Sequence, residues 1–172
     1  MKKKIIITGG LGYIGTELCK LYSGVSWNND ITVIDNRFIS ERVNQLRNWN
    51  IEFIQGDILD KKLINFFCKD ADIVHHLAGI TDVPRTRSEI NVVKDKKIKQ
   101  VAEEGTQNIL DSISEKCKII FPSTHVVYEG IEKVKNNITE DEEPKPELTY
   151  STSKALNEKQ LKKSGKNYII LR

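Results

Sequence analysis

The chain has 172 residues, of which 38% are hydrophobic and 30% charged; this suits one domain with a core and argues against wholesale disorder. Its 27 basic against 24 acidic residues give a net charge of +3, too small an excess to indicate binding to nucleic acid or an anionic membrane. No apolar run approaches the ~20 residues that span a bilayer. Cys19, Cys68 and Cys117 fit neither a disulfide framework nor a metal site, so we expect buried thiols in a cytoplasmic protein.

Short apolar runs alternate with longer amphipathic stretches along the chain. The runs are rich in β-branched residues and predict buried strands, whereas the amphipathic stretches predict helices. In the first helix Ile14, Leu18 and Leu21 share one apolar face. The acidic, proline-containing segment 130–147 indicates a loop. The predicted elements in chain order are strand 4–8, helix 13–23, strands 31–35 and 51–55, helix 61–68, strand 72–77, helix 88–115, strand 117–122, helix 151–163 and strand 168–171.

Repeating strand-then-helix units require crossover connections, which predict a parallel sheet. The expected fold is therefore α/β, a Rossmann-type doubly wound parallel sheet with helices on both faces. Ligands of such sheets bind beyond the carboxyl ends of the strands.

A glycine-rich turn, TGGLGYIG at 8–15, joins the first strand to the first helix. In the pattern G-x-G-x-x-G its glycines are Gly10, Gly12 and Gly15. Glycines allow positive φ and close approach of a pyrophosphate, and the N–H groups that begin the helix bind phosphates. A tight turn without a ligand is the alternative, but the strand before and the helix after favour a dinucleotide site.

Asp35 ends the second strand, 20 residues beyond Gly15, where a carboxylate accepts hydrogen bonds from the adenosine ribose. Its charge disfavours a 2′-phosphate, so we predict NAD rather than NADP. Arg37 is the counter-argument, because an arginine there can hold that phosphate; we favour instead an ordinary loop cation or stacking on the adenine. Asp57, after the third strand, either meets the adenine amino group or serves as a turn residue or helix N-cap.

The chain resembles the extended short-chain dehydrogenase/reductase family, in its NAD-dependent epimerase/dehydratase branch. The segments that match, in order, are TGGLGYIG at 8–15, VIDN at 33–36, GDI at 56–58, HLAG at 76–79, FPSTHVVY at 121–128 and YSTSK at 150–154. The resemblance implies one NAD-binding domain over 1–172. The residues that it implies for NAD binding are Gly9, Gly12, Tyr13, Ile14, Gly15, Asp35, Asn36, Asp57, Ile58, Leu77, Ala78, Gly79, Tyr150 and Lys154.

The resemblance also implies that Thr124, Tyr150 and Lys154 are catalytic. Tyr150 and Lys154 are four residues apart on a predicted helix and share one face. We expect the ammonium to lower the pKa of the phenol, which takes a proton from a sugar hydroxyl while hydride leaves for the cofactor. Lys154 would also hold the nicotinamide ribose, and Thr124 would orient the substrate oxygen. The alternative role of Thr124 is structural: its hydroxyl would cap the free backbone groups at the end of the strand.

His125 and Val126 follow Thr124 and narrow the reaction class. They replace the Asp-Glu pair of the family's dehydratases, and Val126 replaces the glutamate of its decarboxylases. The pattern is similar to that of 4-epimerases, which implies a UDP-glucose 4-epimerase-like enzyme acting on a UDP- or dTDP-sugar. The alternatives are an NAD(P)-dependent nucleotide-sugar reductase or dehydrogenase, and a non-catalytic dinucleotide-binding protein. The family also implies a homodimer through a four-helix bundle, built from helices 88–115 and 151–163.

Several positions differ from the family pattern. Ala102 stands where the family often has asparagine, and Glu129 lengthens the segment after the catalytic strand. The chain ends at Arg172, whereas extended family members continue with a C-terminal region that supplies most sugar-nucleotide contacts. We therefore expect a truncated or naturally short chain, without that substrate-binding region, that binds a dinucleotide far better than a sugar.

Overall fold

The computed structural model describes residues 2–81, 92–132 and 136–172. Two short 3₁₀ helices lie at Ser26–Asn28 and His125–Tyr128, and none of the helices described is long and apolar enough to cross a membrane. The strands and α-helices of these residues are β1 Lys3–Thr8, α1 Tyr13–Ser23, β2 Asn29–Asp35, α2 Ser40–Asn48, β3 Glu52–Gln55, α3 Lys61–Cys68, β4 Ile73–His76, α4 Val92–Ser112, β5 Lys118–Pro122, α5 Thr149–Lys163 and β6 Asn167–Leu171.

These strands form one parallel sheet in the order β3-β2-β1-β4-β5-β6. The chain winds outward from β1 to β3 and then returns to add β4 on the other side of β1. The order thus reverses between β1 and β4, which leaves a crevice at the carboxyl ends of these two strands. The predicted Rossmann-type, doubly wound α/β fold is confirmed.

The sheet separates two apolar cores, because successive side chains of a strand point to opposite faces. From β1, Ile6 enters the core that contains residues of α3, α4 and α5, whereas Ile5 and Ile7 enter the core with α1 and α2. All three isoleucines are buried, and each contributes about 1.5–3 kcal/mol to folding by leaving water. The helices therefore cover both faces and leave the strand ends open.

Two features of the helices differ from the prediction. Helix α2 was not predicted; of its residues only Val43 and Leu46 are buried. The predicted apolar face of α1 is only partly buried: Leu18 packs against the core, but Ile14 and Leu21 are 60% and 78% exposed. Gly15 and Cys19 are the buried residues of this helix. Helix α4 begins at Val92 in the described residues, and the predicted start at 88 lies outside them.

The three cysteines are buried free thiols, as predicted. Burial raises the pKa of Cys19 and Cys68 to about 12 and that of Cys117 to about 11. No cluster of histidine, cysteine, aspartate or glutamate suited to a metal ion occurs in 2–81, 92–132 or 136–172.

Candidate active site

A cleft of about 840 Å³ opens at the carboxyl ends of the strands, where the strand order reverses. Open α/β sheets bind their ligands at this position. Every residue that the family resemblance implies for NAD binding lines the cleft, although these residues come from distant parts of the chain. The lining residues among them are Gly9, Gly12, Tyr13, Ile14, Gly15, Asp35, Asn36, Asp57, Ile58, Leu77, Ala78, Gly79, Tyr150 and Lys154.

The glycine turn permits close contact between β1, β4 and α1. Gly9 has a φ of +71°, and a Cβ there would lie 2.6 Å from the backbone nitrogen of Ala78, so no other residue fits without a backbone shift. A Cβ on Gly15 would lie 2.6 Å from Gly10 Cα, which explains why α1 presents Gly15 inward. The predicted role of Gly10 is wrong: it packs against Val33 and does not line the cleft.

The first turn of α1 faces the cleft with Tyr13 and Ile14. Its N-cap is Gly12, which has no side chain to bond the free N–H groups of that turn. These N–H groups and the positive end of the helix dipole suit a pyrophosphate. The residues present therefore fit the phosphates of a dinucleotide.

Asp35 is bonded on both carboxylate oxygens. Its Oδ1 accepts from Arg37 N at 3.0 Å and Arg37 Nε at 3.2 Å; its Oδ2 accepts from Leu11 N at 3.0 Å and Arg37 Nη2 at 3.4 Å. The Asp35 side chain is only 3% exposed, against 56% for Arg37. Arg37 is thus an ion-pair partner of Asp35, and not an isolated loop cation.

Asn36 and Asp57 connect the ends of β2 and β3. Asn36 Nδ2 donates to Asp57 Oδ2 at 3.2 Å, and Asp57 Oδ1 accepts from Leu59 N at 2.9 Å. The N-cap of α3 is Asp60, which accepts from the first-turn N–H groups. Of the two local roles considered for Asp57, the structure shows the turn residue and not the N-cap.

A chain of buried polar groups supports the floor of the cleft. His76 at the end of β4 hydrogen-bonds Thr8 Oγ1 and Thr106 Oγ1, each at 3.0 Å, and Ala78 N donates to Thr8 Oγ1 at 3.3 Å. Asn157 of α5 donates to Thr106 Oγ1 at 2.9 Å. Burial lowers the pKa of His76 to about 3, so its ring is neutral near pH 7. The Ala78 segment is thereby connected to α4 and α5.

Tyr150 and Lys154 project from α5 into the cleft. Lys154 Nζ donates to Pro122 O at 2.7 Å and lies 4.5 Å from the centroid of the Phe121 ring. Burial lowers the pKa of Lys154 to about 8, and the nearby Glu158 carboxylate opposes this shift. The expected lowering of the Tyr150 pKa is wrong for this state, because burial raises the pKa of the phenol while the Lys154 ammonium is held by the carbonyl.

Thr124 lies beside the cleft and does not line it. Its hydroxyl accepts from Val126 N at 3.2 Å and so caps the 3₁₀ helix that follows β5. The lining residues of this segment are Pro122 and Ser123. The structure thus brings Tyr150 and Lys154 together in the cleft and gives Thr124 the local capping role.

Sequence reasoning missed a buried group behind Tyr150 and Lys154. Glu158 accepts from the Ser123 hydroxyl and forms an ion pair with Arg172, whose Nη2 lies 2.6 Å from Glu158 Oε2. The Arg172 and Glu158 side chains are 6% and 2% exposed. The available signal was spacing, because Tyr150, Lys154 and Glu158 follow one another at intervals of four residues and so share a helix face.

Comparison with known proteins gives consistent matches. The model of the 3-beta hydroxysteroid dehydrogenase/isomerase family matches residues 6–170. UDP-N-acetyl-alpha-D-glucosaminuronate decarboxylase of Bacillus cytotoxicus is 34% identical over 74% of this chain, and CDP-paratose 2-epimerase of Salmonella typhi is 34% identical over 80%. The chain spans 38% and 41% of these two relatives.

Among solved structures, the fold matches a UDP-glucuronic acid 4-epimerase variant from Bacillus cereus, crystallised with NAD and UDP-4-deoxy-4-fluoro-glucuronic acid. The TM-score is 0.81 at 26% identity, and the match covers 100% of this chain and 56% of that chain.

Proposed function

Because this chain belongs to the 3-beta hydroxysteroid dehydrogenase/isomerase family, in the epimerase/dehydratase branch of the extended short-chain dehydrogenases/reductases, we propose that it binds NAD and forms the cofactor part of a nucleotide-sugar epimerase. The observation that carries this proposal is that the residues implied for NAD binding by the family resemblance all line one cleft, at the reversal of strand order. The solved relative from Bacillus cereus contains NAD, which supports the choice of cofactor.

We assign the parts of the cleft to parts of the cofactor. The Gly9–Gly15 turn would hold the pyrophosphate, the end of β2 with Asp35 the adenosine ribose, and Asp57 with Ile58 the adenine. Lys154 would hold the nicotinamide ribose. When bound, NAD would accept a hydride from a sugar carbon and return it.

Tyr150 is the proposed base that removes the proton of the sugar hydroxyl. Burial raises its pKa, so its action as a base would depend on a nearby positive charge, such as the Lys154 ammonium facing the phenol. Thr124 would orient the same substrate oxygen by donating its O–H to it, while Oγ1 still accepts from Val126 N.

The epimerase assignment depends on His125 and Val126. Elimination of water or carbon dioxide in this family employs carboxylates at these positions, and neither residue carries one. The two curated relatives include a decarboxylase and an epimerase, and hydride transfer alone requires no such carboxylate. We propose a UDP- or dTDP-sugar as the substrate class.

The homodimer and the cytoplasmic location are also proposals. Helices α4 and α5 pack together, and Asn157 Nδ2 donates to Ala102 O at 2.8 Å. Val101, Ile109 and Ile113 are buried in the core, so a dimer through these helices would rely on other residues. Sedimentation equilibrium tests the dimer.

The proposed cytoplasmic location is supported by the three buried free thiols, which fit a reducing compartment.

Calorimetric titration of the chain with NAD⁺ tests the cofactor assignment. We expect a Kd on the order of 1–100 μM. Tyr150→Phe should change this Kd by less than about threefold, because it removes one oxygen that the phosphates and adenosine do not touch. An absence of binding by the folded wild-type chain contradicts the proposal.

Chromatographic assay of UDP-glucose and UDP-galactose interconversion tests the reaction. We expect feeble turnover by this chain, abolished in Tyr150→Phe, with no net NADH. Stoichiometric production of NADH with loss of UDP-sugar would instead indicate the dehydrogenase alternative.

A further inference from the structure

Thr124 and Tyr150, which we assign to the same substrate oxygen, belong to segments that are far apart in the sequence. Thr124 caps the 3₁₀ helix after β5, whereas Tyr150 lies in the first turn of α5, which begins at Thr149. The acidic segment 130–147 separates them along the chain. For the two hydroxyls to act on one oxygen, other contacts must fix the start of α5 against the 3₁₀ helix.

The first turn of α5 has no cap of its own. Its N-cap residue is Leu148, whose side chain accepts no hydrogen bond, and the start of a helix needs partners from outside it. Tyr150 is the second residue of this helix and so belongs to the turn that frays first. Lys154 lies one turn further on and is held separately, by its bond to the Pro122 carbonyl.

Glu129, the residue that follows the 3₁₀ helix, supplies the missing contact. Its Oε1 accepts hydrogen bonds from Glu147 N and Leu148 N, each at 2.8 Å, and from the Ser151 hydroxyl. Two of these donors precede Tyr150 in the chain and one follows it. Ser151 is buried, although Glu129 itself lies on the surface. One carboxylate oxygen thus holds both the peptides that lead into α5 and a side chain of its first turn.

Backbone hydrogen bonds beside Glu129 align the same two segments. Lys145 N donates to Val127 O, and Gly130 N donates to Lys145 O, each at 2.8 Å. A Cβ on Gly130 would lie 2.6 Å from Lys145 O, so the segments approach this closely because residue 130 has no side chain. The end of the 3₁₀ helix is thereby fixed against the segment that enters α5.

Glu129 is ionised near pH 7. Burial would raise the pKa of its carboxyl, but the hydrogen bonds from Leu148 N, Ser151 Oγ and Glu147 N outweigh burial and lower the pKa. A carboxylate is also favoured beside the start of a helix, where the dipole is positive. The three hydrogen bonds are therefore charge-assisted, which makes them stronger than bonds to a neutral acceptor.

We propose that Glu129 is a positioning residue for Tyr150: it fixes the first turn of α5 so that the phenol faces the same substrate oxygen as the Thr124 hydroxyl. This inference rests on the proposed function, which makes Tyr150 the base. Lys154 depends much less on Glu129, because its own hydrogen bond lies a turn further along α5. Loss of the Glu129 carboxylate should therefore impair proton removal and leave cofactor affinity almost unchanged.

Nuclear magnetic resonance of the full chain, labelled with ¹³C at tyrosine Cζ, tests the position of the phenol without any turnover. The Tyr150 resonance is the one that is missing from the spectrum of Tyr150→Phe. We expect Glu129→Ala to shift or broaden this resonance near pH 7, because the first turn of α5 frays. Glu129→Gln should retain the wild-type resonance, because an amide oxygen accepts the same hydrogen bonds. A failure of Glu129→Gln to restore it would overturn the inference.

Asp60→Ala is the matched control for a general loss of stability. Asp60 caps α3 by accepting from Lys62 N and Leu63 N and does not line the cleft. Its removal should lower stability without moving the Tyr150 resonance. Ser151→Ala removes one of the three bonds to Glu129 and should shift the resonance less, in the same direction. This second variant decides the question if Glu129→Ala does not fold.

A single-turnover assay tests the consequence for the reaction, with the chain saturated with NAD⁺ and in excess over UDP-glucose. We expect Glu129→Ala to slow the formation of UDP-galactose about tenfold, and to change the Kd for NAD⁺ by less than about threefold. Glu129→Gln should stay within about threefold of the wild-type rate, and Asp60→Ala should match it. A loss of NAD⁺ affinity as large as the loss of rate would indicate a general structural role and overturn the inference.

The two measurements separate this inference from the proposed function. If the wild-type chain binds NAD⁺ and converts the sugar, but Glu129→Ala leaves both the Tyr150 resonance and the rate unchanged, only the inference is wrong. If the folded wild-type chain neither binds NAD⁺ nor converts the sugar, the proposed function is wrong. The resonance alone then decides whether Glu129 positions Tyr150.

Discussion

At the scale of single residues, Lys154 is a charged side chain in a largely buried position. Its ammonium bonds the Pro122 carbonyl and faces the Phe121 ring, yet the side chain is also part of the cleft wall. Burial lowers its pKa from 10.5 to about 8. The protonation state of a residue assigned to the nicotinamide ribose therefore changes within an accessible pH range.

This position predicts a pH dependence of NAD binding. Below pH 8 Lys154 is charged and binds a ribose or phosphate oxygen well; as the pH rises through about 8 the charge is lost. We expect the Kd for NAD to increase up to about tenfold between pH 7 and pH 9.5. Calorimetry across this range measures it, with Lys154→Met as a variant that should show the weak, pH-independent value. The exposed Lys159→Met should behave as wild type.

His76 predicts an acid instability. Its folded pKa of about 3 lies below the ordinary 6.5, so between these values the unfolded chain binds a proton that the folded chain does not. Stability therefore falls as the pH decreases below 6.5, by at most about 1.4 kcal/mol per pH unit from this group. Urea denaturation at pH 7, 6, 5 and 4 measures the slope.

His76→Gln should lower stability at pH 7 but reduce that slope, because glutamine keeps hydrogen-bonding capacity and does not titrate. The exposed His125→Gln should retain the full slope. An equal slope in His76→Gln would show that other groups, such as His75, whose pKa burial also lowers, account for the effect.

At the scale of elements, the contact between the glycine turn and the end of β4 determines how close the two strands approach. Gly9→Ala should reduce NAD affinity more than tenfold and destabilise the fold by about 2 kcal/mol or more, since the Cβ would meet the Ala78 backbone at 2.6 Å. Gly165→Ala is the matched control: its φ is +68° but no atom lies within 4 Å of the new Cβ. It should cost about 1–2 kcal/mol and leave NAD affinity unchanged. Calorimetry and urea denaturation measure both.

Most elements were predictable from sequence because buried parallel strands are continuous apolar runs and the longer helices have clear apolar positions. Helix α2 buries only Val43 and Leu46. Two apolar residues are too few to show a helical repeat in the sequence. The exposure of Ile14 and Leu21 in α1 has a different origin. Gly15 faces inward because α1 lies very close to the glycine turn, and the spacing of large apolar residues carries no information about that approach.

The candidate site was predictable where its residues belong to motifs, as for the glycine turn, Asp35 and the Tyr150–Lys154 pair. Partners formed across the fold were not. His76 hydrogen-bonds Thr8 and Thr106, which are 68 and 30 residues from it in the sequence. No local sequence pattern predicts such contacts.

At the scale of the whole molecule, Arg172 joins three separate parts of the structure. It pairs with Glu158 of α5 at 2.6 Å, and its Nη1 lies 2.5 Å from the Tyr128 hydroxyl after β5 and 2.7 Å from Glu140 O in the acidic loop. The Ser123 hydroxyl donates to the same glutamate. The strand end beside the cleft is thereby fixed to the helix that carries Tyr150 and Lys154.

Arg172→Met should destabilise the fold by about 3–5 kcal/mol, because it leaves the buried Glu158 carboxylate without its cation. The double variant Glu158→Met/Arg172→Met should recover part of this loss, since no unpaired charge remains. Lys61→Met, which breaks the exposed Lys61–Asp111 pair at 3.0 Å, should cost at most about 1 kcal/mol. Urea denaturation of the three variants measures their free energies of unfolding. Equal losses of stability in Arg172→Met and Lys61→Met would contradict the assigned role of Arg172.

The placement of the three thiols gives the chain internal reporters of its own opening. Cys19 belongs to the core beneath α1 and α2, whereas Cys68 and Cys117 belong to the core on the other side of the sheet. A thiolate-seeking alkylating reagent reaches each sulfur only when its own layer separates. Mass spectrometry of pulse-labelled peptides can therefore tell which layer detaches first, without any foreign dye or added cysteine.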